Sequence, residues 1–220
     1  MSTYYDVVIV GGGVTGSSSA YFIQSHPGFN GRIALIEKDT TFQHAPSAKS
    51  TGGIRQQFST PENIEMGLFG AHFIKHIEDY LSVNDETPDV TFREYGYLLI
   101  ATPEKRALMD ENNRRQREIG ADIVPYASNE LKSEFPWLKT DRASAGYHGV
   151  QNEGWVDPYS LLQAYRSKAR DLGVALLNEE VVSIERSGDH ITGIGLASGN
   201  HLSAGLVINT AGASGVRDMA

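Results

Sequence analysis

The chain has 220 residues, enough for one large domain or two small ones and for a sizeable hydrophobic core. Its net charge of −8 argues against nucleic acid or an anionic membrane as the main partner, because both favour clustered Lys and Arg. The absence of cysteine excludes disulfides, thiolate metal sites and a flavin tethered through cysteine within this segment.

The sequence near the amino end indicates where in the cell the protein is expected. The first predicted strand starts at Tyr5, which leaves no room for a signal or transit peptide. No apolar run reaches the length of a membrane span. We therefore expect a cytoplasmic protein without a transmembrane segment.

The apolar run at residues 5–10 leads directly into a Gly-x-Gly-x-x-Gly turn at residues 11–16 and then into a predicted helix. Gly11 allows a tight turn, Gly13 lets the backbone approach a diphosphate, and Gly16 lets the helix lie close to the strand. The N–H groups at the start of such a helix face the phosphate charge. The order of strand, turn and helix therefore predicts a dinucleotide site.

A second predicted strand, residues 32–36, ends in Glu37, 24 residues after Gly13. An acid at this point of a dinucleotide-binding fold accepts hydrogen bonds from the hydroxyls of the adenosine ribose. Glu37 thus strengthens the interpretation of the glycine turn.

Residues 38–57 are polar and predicted to be irregular. A helix then begins with Thr60 as N-cap and Pro61 at its first position. Helical spacing predicts one buried face made of Met66, Phe69, Phe73, Ile77 and Tyr80.

The remaining elements alternate between strands and helices. Strands are predicted at residues 91–93, 96–101, 174–177, 181–186, 190–197 and 206–209. Helices are predicted from Thr102 to Gly120, around residues 129–135, and from Asp157 to Gly173.

This order suggests a chain that leaves its first sheet after two strands and returns through a small antiparallel meander. A discontinuous arrangement of this kind favours a flavin fold over a nicotinamide fold. We predict a first part of the FAD-binding domain at 1–85, a substrate-domain segment at 86–152, and a second part of the FAD-binding domain at 153–220.

Several segments occur together in the order found in one family. They are the glycine turn, Ile36-Glu37-Lys38, residues 47–55, Gly96-Tyr97-Leu98, Val156-Asp157-Pro158 and Asn209-Thr210-Ala211-Gly212-Ala213. On these residues the chain resembles the FAD-dependent oxidoreductases of the D-amino acid oxidase superfamily, especially the sarcosine oxidase, dimethylglycine dehydrogenase and glycine oxidase branch. Residues 50–58 are also similar to FAD-oxidoreductase-domain proteins linked to respiratory complex assembly. The resemblance covers essentially the whole chain.

The resemblance implies an α/β fold with a glutathione-reductase-type, Rossmann-like FAD-binding domain, a β-meander crossover and part of an inserted α+β substrate domain. It implies FAD as cofactor and oxidation of the C–N bond of a small amino acid or N-methylated amine. Carried over by position, the cofactor-binding residues are Gly11, Gly13, Val14, Thr15, Gly16, Glu37, Lys38, Ser47, Lys49, Ser50, Thr51, Gly52, Gly53, Val181, Ala211 and Gly212. Arg55 matches the arginine that clamps the substrate carboxylate, and it is the predicted catalytic residue.

Two positions depart from the family pattern. Ser50 stands where dimethylglycine dehydrogenases carry their flavin-tethering histidine, and Ser214 stands where the family often has tryptophan. The family's chains run well beyond residue 220, so we expect an amino-terminal portion. Oxidase or dehydrogenase chemistry, and a protein partner or homo-oligomer, stay open.

Two alternative functions stay open. A flavoprotein scaffold or assembly factor would keep the fold and FAD without turnover, and a nicotinamide-dependent dehydrogenase would use NAD instead. His72 and His76 lie four residues apart but lack a convincing third ligand, so no metal site is expected.

Overall fold

The apolar run near the amino end becomes a central strand of a six-stranded sheet in the computed structural model, which describes residues 3–212. The elements in chain order are β1 (Thr3–Val10), α1 (Val14–Ser25), β2 (Ile33–Glu37), β3 (Gly53–Ile54), α2 (Pro61–Lys75), α3 (Ile77–Leu81), β4 (Tyr97–Ala101), α4 (Arg106–Ile119), β5 (Ile123–Ala127), α5 (Ser128–Glu134), β6 (Ala145–Gly149), β7 (Gly154–Trp155), α6 (Pro158–Asp171), β8 (Ala175–Asn178), β9 (Val181–Ser187), β10 (His190–Leu196) and β11 (His201–Asn209). A 3₁₀ turn, Pro103–Lys105, precedes α4.

The first of two units contains the described parts of residues 1–50, 81–89 and 158–220. Its sheet has the order β8-β2-β1-β11-β10-β9. The first four strands of this order are parallel, and β9, β10 and β11 form an antiparallel meander. This arrangement confirms the predicted α/β class and the β-meander crossover.

Strand β1 is apolar throughout its second half because both of its faces are covered. Val8 and Val10 pack with one hydrophobic cluster, whereas Val7 and Ile9 pack with another that includes Ala20 of α1. A strand buried on both sides needs such an uninterrupted apolar run, since alternate side chains point in opposite directions. The sheet therefore fixes the position at which β1 ends and the glycine turn begins.

The second unit contains residues 51–80 and 90–157. It has a three-stranded antiparallel sheet of order β4-β6-β5 and a two-stranded pair, β3 with β7. Its core contains Ile64 of α2, Ile123 of β5 and Tyr147 of β6. The boundaries of the two units differ from those of the predicted domain segments. Residues 51–80 belong to the same unit as residues 90–157, because α2 contacts α4.

Helix α2 starts where the sequence predicts, with Pro61 as its first residue, but its buried face is different. Met66 is 62% exposed and Phe69 is 51% exposed, so the predicted apolar face is wrong at these positions. The buried residues are Ile64, Ala71, Phe73 and Ile74. The face of α2 that packs on the core is therefore not the face that carries the large side chains of Met66 and Phe69.

Two predicted strands also differ from the structure. Residues 91–93 form no strand, because Thr91 has φ of +52° and only a single bridge joins Arg93 to Trp155. Strand β11 begins at His201 instead of Leu206, since its first residues pair with β10 as well as with β1.

The register of α2 can be tested by replacing Ile64 with alanine. Ile64 is fully buried, so we expect a loss of about 2–5 kcal/mol in unfolding free energy. The matched control is Met66→Ala on the same helix, for which a change within about 0.5 kcal/mol is expected because the side chain is exposed. Urea unfolding measures both, and equal losses would contradict the observed register.

Candidate functional site

The glycine turn after β1 is shaped by contacts that leave no room for a side chain. Gly11 has φ of +99°, in the region that favours glycine. A Cβ on Gly11 would lie 2.6 Å from the carbonyl oxygen of Thr210. The Gly11 N–H donates to the Ile36 carbonyl at 2.8 Å, which ties the turn to β2.

Gly13 is the N-cap residue of α1 and has no side chain to cap the helix, and the Ser47 hydroxyl makes only a long contact of 3.5 Å with the Val14 N–H. The first turn of α1 carries no acidic residue. A Cβ on Gly13 would meet only the Ser47 hydroxyl, at 3.5 Å. The start of α1 therefore combines available N–H groups, a positive dipole end and open space, which is an arrangement suited to a phosphate.

Gly16 lies in the first turn of α1, against the turn that precedes the helix. A Cβ on Gly16 would overlap the Gly11 carbonyl oxygen and lie 2.6 Å from the Thr210 hydroxyl oxygen. The neighbouring Ser17 is fully buried and donates from its hydroxyl to the Gly12 carbonyl at 2.8 Å. The close approach of helix and turn that the sequence predicts at Gly16 is confirmed.

Glu37 joins the end of β2 to the glycine turn. Its Oε2 accepts a hydrogen bond from the Gly12 N–H at 2.8 Å, and its Oε1 accepts one from the Asp39 N–H at 2.9 Å. Each carboxylate oxygen can accept a further hydrogen bond. The carboxylate is thus held in place by backbone donors while keeping capacity for ligand hydroxyls.

Thr210 closes the turn from the end of β11. Its hydroxyl lies 2.9 Å from the Val10 carbonyl and 2.8 Å from the Gly11 carbonyl, and its N–H donates to Val10 at 2.8 Å. The ends of β2 and β11, which are distant in sequence, therefore both bond the chain where β1 passes into the glycine turn.

These groups surround a cavity of about 290 Å³, called here the β1–α1 cavity. Ten of the predicted cofactor-binding residues line it: Gly11, Gly13, Val14, Thr15, Glu37, Lys38, Ser47, Val181, Ala211 and Gly212. Gly16 packs against the turn, as described above. The volume is near the lower end of the range for small-molecule sites, roughly 300–1,000 Å³, so the cavity suits one nucleotide moiety.

Acidic side chains are frequent on the side of the cavity where Glu37 lies. Lys38 forms an ion pair with Glu180 at 2.7 Å, and both side chains are about half exposed. A hydrogen bond from the Thr41 hydroxyl lowers the pKa of Asp39 below its usual range. Carboxylate oxygens accept hydrogen bonds, so this end of the cavity favours donors such as sugar hydroxyls over phosphates.

The other predicted cofactor-binding residues lie elsewhere. Lys49 and Ser50 are exposed, in turns whose N–H groups donate to the Pro46 and Ser47 carbonyls. Thr51, Gly52 and Gly53 belong to the second unit, where β3 pairs with β7 and the Gly52 carbonyl accepts a hydrogen bond from Val156. None of these five residues lines the β1–α1 cavity.

Arg55, the predicted catalytic residue, also belongs to the second unit. Its guanidinium carbon lies 5.0 Å from the centre of the Phe58 ring. Its Nε is buried and has no hydrogen-bond partner among residues 3–212. A buried donor without a partner is costly, so this atom is suited to a ligand.

The backbone just after Arg55 is fixed by a buried carboxylate. Glu153 is fully buried, and its Oε1 accepts hydrogen bonds from the Gln56 N–H at 2.6 Å and the Gln57 N–H at 3.1 Å. The Gln57 side-chain amide donates to Glu153 Oε2 at 2.9 Å and to the Tyr97 carbonyl at 2.8 Å. Glu153 thus determines the path of the chain that carries Arg55.

Sequence reasoning missed several residues of both regions. Gly12 occupies a variable position of the Gly-x-Gly-x-x-Gly pattern, so the pattern does not indicate that its N–H donates to Glu37. Phe42 lines the β1–α1 cavity but lies in a polar stretch with no pattern to reveal it. The sequence indicates Thr210 only as one member of the motif at residues 209–213. Nothing in the sequence around Glu153 distinguishes it from an acidic residue on the surface.

His72 and His76 are neighbours on α2, with ring centres 4.3 Å apart. Over residues 3–212 the structure shows no group of three or more potential metal-binding side chains. Within the same range, no helix is long and apolar enough to cross a lipid bilayer. Ala213 and Ser214 lie outside the described residues.

Comparison with known proteins decides the family. A profile of the family described as "FAD dependent oxidoreductase" (DAO) matches residues 6–220. The chain belongs to this DAO family. The resemblance deduced from the sequence motifs is thereby confirmed, and FAD is the cofactor of the family.

Individual relatives of the DAO family agree with this placement. The chain is 41% identical over 198 residues to "FAD-dependent oxidoreductase domain-containing protein 1" of Xenopus laevis. The aligned region covers 85% of this chain and 40% of that relative. The chain is 24% identical over 207 residues to glycine oxidase of Bacillus subtilis, covering 86% of this chain and 49% of that enzyme. The chain therefore spans about two fifths to one half of the length of these two relatives.

A solved structure shows the same fold. Glycine oxidase from Geobacillus kaustophilus aligns with a TM-score of 0.77 and 23% identity, over 99% of this chain and 58% of that chain. The fold expected for an FAD-binding oxidoreductase is thus confirmed.

The β1–α1 cavity fits the adenosine diphosphate part of FAD. A Cβ at Gly13 would reach into the space beside Ser47, and the uncapped end of α1 can donate to phosphate oxygens. Glu37 is held by Gly12 and Asp39 with accepting capacity left over for a ribose. The donors and acceptors are therefore placed in the order in which a dinucleotide presents phosphate and sugar.

The Gly16 contact predicts how FAD binding responds to substitution. Gly16→Ala would force the Gly11 carbonyl away, at a cost of about 1–3 kcal/mol, and we expect FAD affinity to fall about tenfold or more. The control is Gly70→Ala in α2, where a Cβ meets nothing within 4 Å and a gain of about 0.5–1 kcal/mol is expected. Flavin fluorescence titration and thermal melting measure the two effects; unchanged FAD affinity in Gly16→Ala would contradict the packing described.

Proposed function

We propose that the chain is the FAD-binding portion, with part of the substrate-binding portion, of an oxidoreductase that oxidises the C–N bond of a small amino acid or N-methylated amine. The observation that carries the proposal is the convergence of the glycine turn, the uncapped start of α1 and Glu37 on the β1–α1 cavity. When bound, FAD supplies the hydride acceptor at its N5 atom, while the protein binds and orients the reactants.

The proposed cofactor contacts follow from the chemistry of each group. N–H groups at the start of α1 donate to the diphosphate, and Gly13 allows the approach. Glu37 accepts from the ribose hydroxyls, and Lys38 lies beside it at the adenosine end. Val181, 9% exposed on β9, provides backbone groups and apolar surface for adenine.

The proposed substrate contact is Arg55. Its planar guanidinium can hold a carboxylate through two parallel hydrogen bonds. The buried Nε without a partner and the Phe58 ring beside the guanidinium support this role. A small amino acid is the substrate class that such a clamp selects, and the name glycine oxidase, carried by one relative, agrees with it.

A scaffold or assembly role with FAD bound and no turnover is the second proposal that the sequence left open. The relatives at 41% identity carry a name that specifies FAD but no substrate, which is compatible with both roles. The cytoplasmic location and the absence of a nucleic-acid partner stay predictions of the sequence.

The test begins with the whole protein purified under native conditions. We expect a yellow preparation with one FAD that does not exchange for NAD. Sarcosine, dimethylglycine, proline and glycine are then added without air, and bleaching of the flavin absorbance by at least one of them is the expected result. Reoxidation on admitting air distinguishes an oxidase from a dehydrogenase. FAD retention with no reduction by any such compound would contradict the enzymatic role.

Arg55→Ala tests the carboxylate clamp. Loss of a charge-assisted hydrogen-bonded pair, about 1.5–3 kcal/mol, predicts a KM for a carboxylate substrate that is about 10- to 100-fold higher, with FAD content unchanged. Arg142→Ala is the control, because Arg142 is an exposed arginine of the same unit. Steady-state kinetics and flavin absorbance provide the readouts, and an equal effect of both substitutions would rule out a specific clamp.

A further inference from the structure

Arg166 of α6 is a buried cation that has no hydrogen-bonded or ion-paired partner among the described residues. Its side chain is 8% exposed, and it is the single buried lysine or arginine among residues 3–212. Within that range it forms no hydrogen bond and no ion pair. Arginine is rarely buried unless it is paired, because removing its charge from water is costly. This unsatisfied charge requires an explanation.

The guanidinium lies directly beside the glycine turn. Its Nη1 is 2.9 Å from the point that a Cβ on Gly12 would occupy, and the Cβ of Glu37 is 2.8 Å from the same point. Gly12 is flanked by Gly11 and Gly13, which both line the β1–α1 cavity. Because Gly12 has no side chain, the positively charged guanidinium of Arg166 can lie close to the backbone of the turn.

The guanidinium also lies against the ring of Phe42. The guanidinium carbon lies 4.8 Å from the centre of the Phe42 ring, within the range of a cation–π contact. Phe42 is 1% exposed and has φ of +58°, an unfavourable conformation for an aromatic residue. Strain of this kind is concentrated at functional sites, and here it holds an aromatic face against Arg166.

The electrostatic surroundings compensate the charge of Arg166 only in part. Burial lowers the pKa of Arg166, the positive charge of Arg170 lowers it further, and Glu37 and Tyr159 act in the opposite direction. Both carboxylate oxygens of Glu37 accept backbone hydrogen bonds, and neither forms an ion pair with Arg166. An anion arriving in the β1–α1 cavity would therefore lower the cost of keeping the guanidinium charged.

We propose that Arg166 is a further binding residue for the dinucleotide, whose buried positive charge behind Gly12 stabilises the diphosphate. This proposal rests on the assignment of the β1–α1 cavity to the adenosine diphosphate part of FAD. Arg166 acts on the phosphate charge through space, whereas Glu37 recognises the sugar. The same geometry explains why the middle residue of Gly11-Gly12-Gly13 is also glycine.

The test separates the diphosphate from the nucleoside. ADP and adenosine are titrated into FAD-free whole protein by calorimetry, with wild type, Arg166→Met and Arg166→Lys. For Arg166→Met we expect ADP affinity to fall about tenfold or more, while adenosine affinity stays within about twofold. Arg166→Lys keeps the charge, so ADP affinity is expected within about threefold of wild type.

Arg170→Met is the matched control, because Arg170 is exposed on the same helix and its loss changes the net charge equally. We expect it to alter ADP affinity by less than about threefold. Arg166→Met is also expected to melt at the same temperature as wild type or higher without ligand, since an apolar side chain replaces an unpaired buried charge. Arg166→Gln provides a second uncharged variant if the methionine variant does not fold.

The outcomes are distinct. A selective loss of ADP binding supports the proposal. An equal loss of ADP and adenosine affinity, or an equal effect of the Arg170 control, overturns it while leaving the FAD site in place. Failure of the wild-type protein to bind either ADP or FAD overturns the assignment of the cavity, and with it both this inference and the proposed function.

Discussion

The hydrogen bond from the Gly12 N–H to the Glu37 carboxylate is the interaction on which the first unit's site depends. It joins the turn after β1, which we assign to the diphosphate, to the end of β2, which we assign to the ribose. Because the carboxylate accepts a second backbone hydrogen bond from Asp39, its orientation is fixed before any ligand arrives. Preorganisation of this kind reduces the ordering cost of binding.

Much of this site could be predicted from sequence because its determinants are local. A strand buried on both faces requires an apolar run, a left-handed turn requires glycine at Gly11, and a helix lying on that turn requires glycine at Gly16. The order of the elements then fixed the meander crossover. Family membership added the cofactor, which no spacing of residues could supply alone.

The parts that escaped prediction depend on contacts between distant segments. The exposed Met66 and Phe69 have the same helical spacing as core residues, and only the packing around Ile64 decides which face is buried. Thr91 adopts a positive φ that its neighbours in sequence do not indicate. Glu153 meets residues nearly one hundred positions away, so its burial has no local signature.

The two units contain buried charges in opposite situations. Glu153 is surrounded by N–H donors, and a satisfied carboxylate of this type specifies one backbone path. Arg166 has an aromatic face and a glycine turn beside it but no acceptor among the described residues. One charge has its partners within the fold, and the other is arranged to find them in a ligand.

The hydroxyl contacts of Thr210 have a consequence for the newly made chain. Thr210 follows the turn it secures by some 200 residues, and β11 is the strand that pairs with β1 on the side away from β2. While the ribosome is still synthesising the middle of the chain, β1 keeps one edge unpaired and open to aggregation or chaperone capture. Cofactor loading must therefore come late in biosynthesis, after the final strand of this region has emerged and inserted.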